Sequence, residues 1–322
     1  MTGGQGTHRR SIRVPCIAVL VLLAALLVLP GSARADSAYC GQVVTASTKL
    51  DGNLLNCVTA GLIVGAPGIT IDLNGHVIDG VGLGAGVLNQ GFDGVTIKNG
   101  SLQGFDHGVL LSSGSERNVV DSVAASLNEL AGIELHGASH NVVRGNIVQF
   151  QAANGIVLHG GSNANTVIGN TVGNNSNLGL FVSASSGNLL QSNHVAINGD
   201  RGVVLEGASS NILFANTVEA NGDAAVSMTL GSHDNHVLRN VVSLNQDAGM
   251  VVTESNRNRI ESNTISQNGD AGVAVAHSNG SLVLYNAISG SSDSGIFFEY
   301  ANFGVIREND VRFNTGGVEL NA

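Results

Sequence analysis

Apolar and polar positions recur along this chain with a fixed period. Residues 235–255 read NHVLRNVVSLNQDAGMVVTES, and 23 residues later the chain reads NRIESNTISQNGDAGVAVAHS. Nine such units follow one another at steps of 23 or 24 residues, opening at Asn118, Asn141, Asn165, Asn188, Asn211, Asn235, Asn258, Ser281 and Gly304. A fixed period of this size is typical of a solenoid, in which each coil stacks on the next.

Four columns of the aligned units are apolar and mostly β-branched. They lie two, seven, fifteen and seventeen residues after the opening position, and the first column runs Val120, Val143, Val167, Leu190, Leu213, Val237, Ile260, Val283, Ile306. Buried strands prefer such side chains. The pattern predicts an all-β, single-domain solenoid of about eleven coils of about 23 residues. Each coil has three short strands that pair in parallel with the next coil at about 4.8 Å.

A second Asn stands five residues after the opening of eight consecutive units, at Asn146, Asn170, Asn193, Asn216, Asn240, Asn263, Asn286 and Asn309. An inward Asn at the turn between two strands can bond to the Asn above and below it, forming a ladder. Such a ladder satisfies polar groups that would otherwise be buried at a corner without partners. A residue repeated in every coil therefore predicts architecture rather than catalysis.

The unit N-x-[VI]-x-x-N-x-[VI], followed by a turn and D-x-G-[IV]-x-[LV], resembles the right-handed parallel β-helix repeat. That repeat occurs in polysaccharide lyases, pectin hydrolases, mannuronan epimerases and NosD-like periplasmic proteins of nitrous oxide reductase maturation. The resemblance covers roughly residues 40–322. It implies an N-terminal cap and first coil over residues 36–67 and a β-helix over residues 68–322. It leaves the activity open, because this fold hosts many functions.

The N-terminal segment has the features of a secretory signal peptide. Arg9, Arg10 and Arg13 precede an apolar run of thirteen residues at 17–29, and residues 33–35 read ARA. We predict a signal peptide over residues 1–35, cleaved near Ala35, and export to a secreted, periplasmic or cell-surface location. The apolar run is short for a membrane span, which disfavours an uncleaved anchor. No other segment of the sequence is expected to cross a membrane.

Net charge restricts the partners. The signal peptide holds four Arg and no acidic residue, so ten Lys and Arg then stand against 24 Asp and Glu, a formal charge of −14. Nucleic acid and anionic membrane both require basic patches, so neither is an expected partner. A strongly anionic polysaccharide is disfavoured for the same reason. Polysaccharide of another kind stays the expected partner class.

Two cysteines, Cys40 and Cys57, remain in the exported chain, seventeen residues apart. Exported proteins form disulfides, and a bridge closing a loop of this size is worth about 3 kcal/mol. The alternative, a metal site, is weaker because two Cys without a nearby His do not complete a ligand set.

Candidate catalytic side chains lie on the last strand of each coil. Positions sixteen and eighteen should point outward, because side chains alternate along a strand. Glu134, His136, His159 and Glu206 occupy these columns and combine carboxylate and imidazole groups, as proton abstraction or glycosidic hydrolysis requires. The alternative is that these are ordinary exposed strand ends. As a metal site the histidine pair is weak, because no third ligand is evident.

The first outward column also contains Phe181 and Phe297. Phenylalanine on a solvent-facing sheet suits sugar stacking or a protein contact. The alternative is that aromatic and β-branched residues occur there because strands favour them.

An acidic column stands twelve residues after the opening position, at Asp200, Asp223, Asp247, Asp270 and Asp293. Stacked carboxylates about 5 Å apart repel by roughly 1 kcal/mol per neighbour in water. They must splay outward, raise their pKa values or bind cations, and calcium favours such oxygen-rich sites. The competing interpretation is turn chemistry, in which Asp bonds to its own backbone ahead of a tight Gly.

Two function classes follow from the sequence. The first is an exported β-helix that binds polysaccharide along its outward sheet, with cleavage or modification left open among lyase, hydrolase and epimerase types. The second is a non-enzymatic envelope scaffold or a NosD-like accessory protein. The D-P-H-D stretch of the epimerases and the clustered Asp pairs of the pectin hydrolases are missing from the sequence. No cap is visible after the last strand, which suggests end-to-end self-association.

Overall fold

The computed structural model describes residues 1–4 and 37–321. The second range forms one compact unit whose regular elements are all β-strands. Within the two ranges, no helix is long and apolar enough to cross a membrane. The predicted signal peptide falls outside them apart from residues 1–4, so it stays a prediction.

The strands are short and follow one another at the period seen in the sequence. The N-terminal coils contain β1 (Gln42–Val44), β2 (Thr48–Lys49), β3 (Leu54–Cys57), β4 (Leu62–Val64), β5 (Thr70–Asp72), β6 (Val77–Gly80), β7 (Ala85–Gln90), β8 (Thr96–Gln103) and β9 (His107–Ser112). The next coils contain β10 (Val119–Ser126), β11 (Ala131–His136), β12 (Val142–Arg144), β13 (Ile147–Gln149), β14 (Asn154–His159), β15 (Thr166–Ile168), β16 (Thr171–Gly173), β17 (Leu180–Ser183), β18 (Leu189–Gln191), β19 (His194–Ala196) and β20 (Val203–Glu206).

The C-terminal coils continue the series without a change of pattern. They contain β21 (Ile212–Phe214), β22 (Thr217–Glu219), β23 (Val226–Thr229), β24 (His236–Leu238), β25 (Val241–Ser243), β26 (Met250–Thr253), β27 (Arg259–Glu261), β28 (Thr264–Ser266), β29 (Val273–Ala276), β30 (Leu282–Leu284), β31 (Ala287–Ser289), β32 (Ser294–Glu299), β33 (Val305–Arg307), β34 (Asp310–Arg312) and β35 (Gly316–Asn321).

Stacking of the coils produces parallel pairing along the whole length of the molecule. One strand of each coil enters a 13-stranded sheet in the order β1-β4-β7-β9-β11-β14-β17-β20-β23-β26-β29-β32-β35. The other two pair with their equivalents in the next coil, as β12 does with β15 and β13 with β16. The predicted right-handed parallel β-helix is confirmed. The sheet begins at β1 because the N-terminal coils pair like the later ones despite their less regular sequence.

The aligned apolar columns form the core. Val143 pairs in register with Val167, and Val167 pairs with Leu190. Each column therefore stacks apolar side chains of similar size on one another inside the β-helix. These side chains are fully or almost fully buried and belong to one continuous hydrophobic cluster. Because every coil buries its apolar side chains against its neighbours, the core is a rod rather than a globule.

The predicted Asn ladder is present and runs through the interior. The Oδ1 atom of Asn193 accepts hydrogen bonds from the backbone N–H of Asn170 at 3.0 Å and from its side-chain amide at 2.9 Å. The Asn193 side-chain amide donates to the Val167 carbonyl at 2.9 Å and to Asn216 Oδ1 at 3.0 Å. Each rung thus uses its donors and its acceptor within the protein, which is what a buried amide requires.

Two further ladders accompany the first. One consists of the residues that open the units, as when Asn188 accepts from the backbone of Asn165 at 2.8 Å. The other stands ten residues after the opening and was not singled out from the sequence; it comprises Asn128, Gln151, Asn175, Asn198, Asn221, Asn245 and Asn268. Ladders of side-chain amides therefore tie the coils together at three points around the core.

The first coils are joined by the predicted disulfide. Cys40 and Cys57 are bonded, with their Cα atoms 5.2 Å apart, which confirms the pairing. A disulfide indicates an oxidising compartment. At the other end of the described chain, β35 leaves Val318 and Leu320 exposed. End-to-end self-association stays a prediction, which sedimentation velocity at several protein concentrations would check.

Candidate functional site

Two histidines stack on neighbouring strands of the 13-stranded sheet. His136 of β11 and His159 of β14 are register partners, and their rings lie 4.2 Å apart between centroids at an interplanar angle of 29°. Both belong to the sequence Leu-His-Gly. Gly160 has φ +64°, and a Cβ atom there would lie 2.7 Å from His136 Cδ2. Glycine at this position therefore allows the His136 ring to rest on the backbone of the next coil.

Glu134 lies between two imidazole groups. Its Oε1 is 2.9 Å from His159 Nε2, and its Oε2 is 3.1 Å from His107 Nδ1. Burial would raise the pKa of Glu134, but the neighbouring imidazoles of His107 and His159 outweigh it and hold the pKa at about 2. Glu134 is therefore an anion throughout the physiological range, which suits orienting an imidazole or binding a cation better than donating a proton.

His107 is the member of this site that the sequence did not reveal. It opens β9, and its register partner in the next coil is Ala131. The following residues, Gly108 and Val109, occupy the G-[IV] positions of the repeat. Extending the alignment one coil upstream would therefore have found it. Its Nδ1 atom is buried and makes no well-aligned hydrogen bond among the described residues; its contact with Glu134 is therefore an ion pair of opposite charges when the imidazole is protonated.

Glu206 stays outside the cluster. It occupies the column of His159, with Ser183 between them in the ladder of β14, β17 and β20. Two strand spacings separate Glu206 from His159, about 10 Å. The structure therefore brings together Glu134, His136 and His159 of the four predicted catalytic residues, and adds His107.

The outward column is less exposed than the sequence suggested. Val157 and Val204 are 6 % and 3 % exposed, and Ser227 is 2 % exposed, because close stacking lets side chains on adjacent strands cover one another. Phe181 and Phe297 lie on the same face and are half-buried rather than open to solvent. The outer face of the sheet therefore carries a stripe of apolar side chains that are mostly covered by their neighbours, with only part of each phenylalanine ring accessible to solvent.

A shallow groove of about 460 Å³ adjoins the histidines. It is lined by Gln90, Leu110, Ser112, Ser113, His136, Gly137 and Gly160. Amide, hydroxyl and imidazole groups face the groove. The negative charge of Glu134, which lies nearby, is offset by its contacts with His107 and His159. These neutral polar groups can hydrogen-bond to a ligand rich in hydroxyls. The same cluster also offers metal ligands, because one atom each of Glu134, His136 and His159 lie within 4.8 Å of one another.

The carboxyl groups at the centre of the acidic column shift one another's pKa values. Burial and a hydrogen bond shared with Asp223 raise the pKa of Asp247. Burial also raises the pKa of Asp200, against the opposing charge of Arg201. Burial would raise the pKa of Asp223, but hydrogen bonds from Asp247 and from the Ala224 N–H outweigh it and lower the pKa. Arg201 Nε approaches Asp223 Oδ2 at 3.0 Å, so one cation offsets part of the repulsion in the column.

We expect Asp247→Asn to stabilise the protein at pH 7 by about 0.5 kcal/mol, a small figure because solvent screens these half-exposed groups. The amide removes one negative charge and keeps a donor for Asp223. A carboxyl whose pKa is raised in the folded state is most stabilising below its ordinary pKa of 3.8 and loses that stability as the pH rises through the folded value. The gain should therefore shrink as the pH falls towards 4.

Thermal melts at a series of pH values test this expectation. Asp293→Asn is the matched control, because Asp293 stands in the same column but is exposed. Its melting temperature should follow the wild type at every pH. An Asp247→Asn variant that is less stable than the wild type at pH 7 would contradict the repulsion between Asp247 and its neighbouring carboxylates.

The comparisons with known proteins agree with this architecture. The family model described as "NosD: Periplasmic copper-binding protein (NosD)" matches residues 68–246 and 227–322. No curated protein matches the chain.

Solved structures share the fold at low sequence identity. The A-module of a mannuronan C-5 epimerase from Azotobacter vinelandii has a TM-score of 0.68 at 14 % identity, with 86 % of this chain and 90 % of that chain covered. A periplasmic alginate epimerase gives 0.52 at 14 % identity, with 80 % and 76 % covered. The Dettilon tailspike protein gives 0.66 at 16 % identity, with 85 % and 62 % covered. At such identities the likeness concerns the fold alone.

Proposed function

The chain belongs to the NosD family, and we propose that it is an exported β-helix protein that binds polysaccharide along the outer face of its 13-stranded sheet. The observation that carries the proposal is the groove beside His136, where Gln90, Ser112 and Ser113 offer neutral hydrogen-bonding groups. Two of the structural relatives are named as epimerases of mannuronan and alginate. The strongly acidic composition of this chain favours a neutral polymer over an anionic one.

The apolar stripe next to the groove supplies the second element of sugar recognition. Phe181 is the register partner of Val157 and Val204, which are buried on either side of it, so the accessible part of the Phe181 ring is what the apolar face of a sugar can cover. Phe297 lies five strands further along the sheet, about 24 Å away at the usual strand spacing. Only an extended polymer could contact both phenylalanines, and their role as stacking platforms stays a prediction.

If the bound polymer is also modified, the geometry favours proton abstraction by imidazole over hydrolysis by paired carboxylates. Glu134 and Glu206 lie on strands three places apart in the sheet, about 14 Å at the usual spacing. Paired carboxylates of inverting glycosidases are at most about 9.5 Å apart. Glu134 holds Nε2 of His159 and thereby orients this imidazole, as a carboxylate does for a general base.

A polysaccharide panel tests the proposal. We expect the chain without residues 1–35 to bind at least one neutral polymer in affinity electrophoresis. If modification follows, His136→Ala and His159→Ala should each reduce product formation by about 100-fold or more. His194→Ala is the matched control, because His194 also bonds to a glutamate, Glu219, at 2.9 Å, but on β19, outside the 13-stranded sheet. Absence of binding to every polymer would remove the polysaccharide role.

Copper handling is a second candidate function. The family is described as periplasmic copper-binding, and the specific observation that favours it in this chain is the cluster of two imidazoles and one carboxylate. Imidazole and carboxylate donors fit Cu²⁺, which accepts nitrogen and oxygen ligands. The family membership and the oxidising compartment indicated by the disulfide are both consistent with a periplasmic location.

Calcium binding by Asp200, Asp223, Asp247, Asp270 and Asp293 stays a prediction. Calcium would have to compete with Arg201 for Asp223. A calorimetric titration with calcium would give measurable heat and a higher melting temperature if the column binds it. No heat and an unchanged melting temperature would mean that these Asp residues serve only the turns, by bonding to their own backbone.

A further inference from the structure

We infer that Glu134, His136 and His159 bind one divalent transition-metal ion, and that His107 positions Glu134 for this task. The sequence suggested only two imidazoles, without a third ligand. The structure supplies the third, since ligand atoms of all three side chains lie within 4.8 Å of one another. Within residues 1–4 and 37–321, no other group of three His, Cys, Asp or Glu side chains meets this condition.

The donor set defines the class of metal. Two imidazole nitrogens and one carboxylate oxygen suit Zn²⁺ and Cu²⁺, whereas calcium and magnesium are bound by oxygen ligands. Three protein ligands leave at least one position for water or another ligand, as in zinc sites that exchange ligands rather than purely structural ones. His136 is exposed and borders the groove, so an ion can enter from solvent and its open position can face that groove.

The packing brings the ligands close together but does not complete the site. Strand register and stacking at 4.2 Å hold the two rings side by side. Because the nitrogen lone pairs of stacked imidazoles lie in nearly parallel planes, one ring must rotate for both nitrogens to reach the same ion. His159 Nε2 and Glu134 Oε1, at 2.9 Å, share a hydrogen bond. A cation bound by these two atoms takes the place of that proton, which passes to solvent.

His107 acts on Glu134 from the other side. Its Nδ1 lies 3.1 Å from Glu134 Oε2, leaving Oε1 directed at His159. A partner that contacts the second oxygen of a ligating carboxylate favours one orientation of that carboxylate, and loss of such a partner weakens metal affinity by about 10- to 100-fold. His107 is therefore a positioning residue, and its removal should weaken binding without changing the ligands of the ion.

Titration of the metal-free, untagged protein with Cu²⁺ and, separately, with Zn²⁺ tests the inference. We expect one ion per chain by calorimetry, and a Cu²⁺ electron paramagnetic resonance spectrum with coupling to two imidazole nitrogens. His136→Ala and His159→Ala should each lose one nitrogen coupling and at least about 100-fold in affinity. Glu134→Gln should weaken binding while both nitrogen couplings remain.

The positioning role of His107 has its own readout. His107→Phe should weaken binding about 10-fold with the wild-type two-nitrogen spectrum retained. His194→Ala serves as control for non-specific binding by surface histidines and should match the wild type in affinity and spectrum. A wild-type spectrum in His136→Ala, or equal losses in His194→Ala and His159→Ala, would overturn the site. Unchanged melting curves of the variants show that the fold is kept.

The inferred metal site rests on the proposed copper function only in the choice of Cu²⁺ as one of the two metal ions tested. A site that takes Zn²⁺ but not Cu²⁺ keeps the inference and removes the copper role. Polysaccharide binding by the metal-free protein is a separate measurement, so the polymer proposal and the metal site can fail independently.

Discussion

Asn193→Ala is expected to destabilise the protein by about 4 kcal/mol, although the residue touches no candidate ligand. Asn193 is 1 % exposed. Its removal leaves the backbone N–H of Asn170 and the carbonyl of Val167 without their partners. Each buried polar group left unsatisfied costs about 1–3 kcal/mol, and water cannot reach the core to replace the amide.

Asn163→Ala is the matched control for this prediction. Asn163 also accepts a backbone N–H from the next coil, that of Ser186 at 2.7 Å, but it is exposed. Water can take its place, so the loss should stay below about 1 kcal/mol. Denaturant unfolding of both variants gives the comparison. Equal losses would mean that the buried ladder contributes no more than a surface hydrogen bond.

The double variant Cys40→Ala/Cys57→Ala is expected to loosen the first coils by about 3 kcal/mol, the contribution of a disulfide that closes a loop of this size. Because each coil of a solenoid contacts only its neighbours, the effect should be local. Amide hydrogen exchange should become about 100-fold faster in β1 and β4, with exchange in β20 and β23 unchanged.

Reduction separates the disulfide from the packing of the sulfur atoms, since Cys57 is fully buried. A reductant should accelerate exchange in the wild-type protein at the same strands and leave the double variant unaffected. An equal acceleration in the central strands would contradict local unfolding and indicate that the whole rod unfolds as one unit.

The regular part of the fold could be predicted from sequence because its physics is repeated in every coil. Apolar side chains at fixed positions must be buried together, and Asn146 with its equivalents must be paired at a corner. The ladder that begins at Asn128 escaped attention for a physical reason. Its Asn residues stand beside Gly and Asp, as in Asn221-Gly222-Asp223, and such a stretch indicates an exposed turn when considered alone. Only the closed coil directs the amide inward.

The candidate site was predicted in part, because it depends on side-chain directions that a column alignment does not contain. Strand register placed His136 against His159 as expected. The reach of Glu134 towards His107 joins two columns three positions apart, and lateral contacts of this kind are invisible in a repeat alignment. The half-burial of Phe181 likewise comes from the side chains on β14 and β20. An alternating pattern predicts which way a side chain points, but it does not predict how much of that side chain its neighbours cover.

The Asn ladder that contains Asn193 contributes an electric dipole along the axis of the β-helix. In the ladder through Asn193 the side-chain amide donates to the Asn of the next coil and its oxygen accepts from the Asn of the previous one, as Asn170, Asn193 and Asn216 do. The amide dipoles therefore point the same way and add along the axis, as peptide dipoles add in an α-helix. Here the positive end faces the C-terminal coils, the reverse of the helical case. A β-helix of this type is a polar rod, and in an applied field or beside a charged surface its two ends are not equivalent.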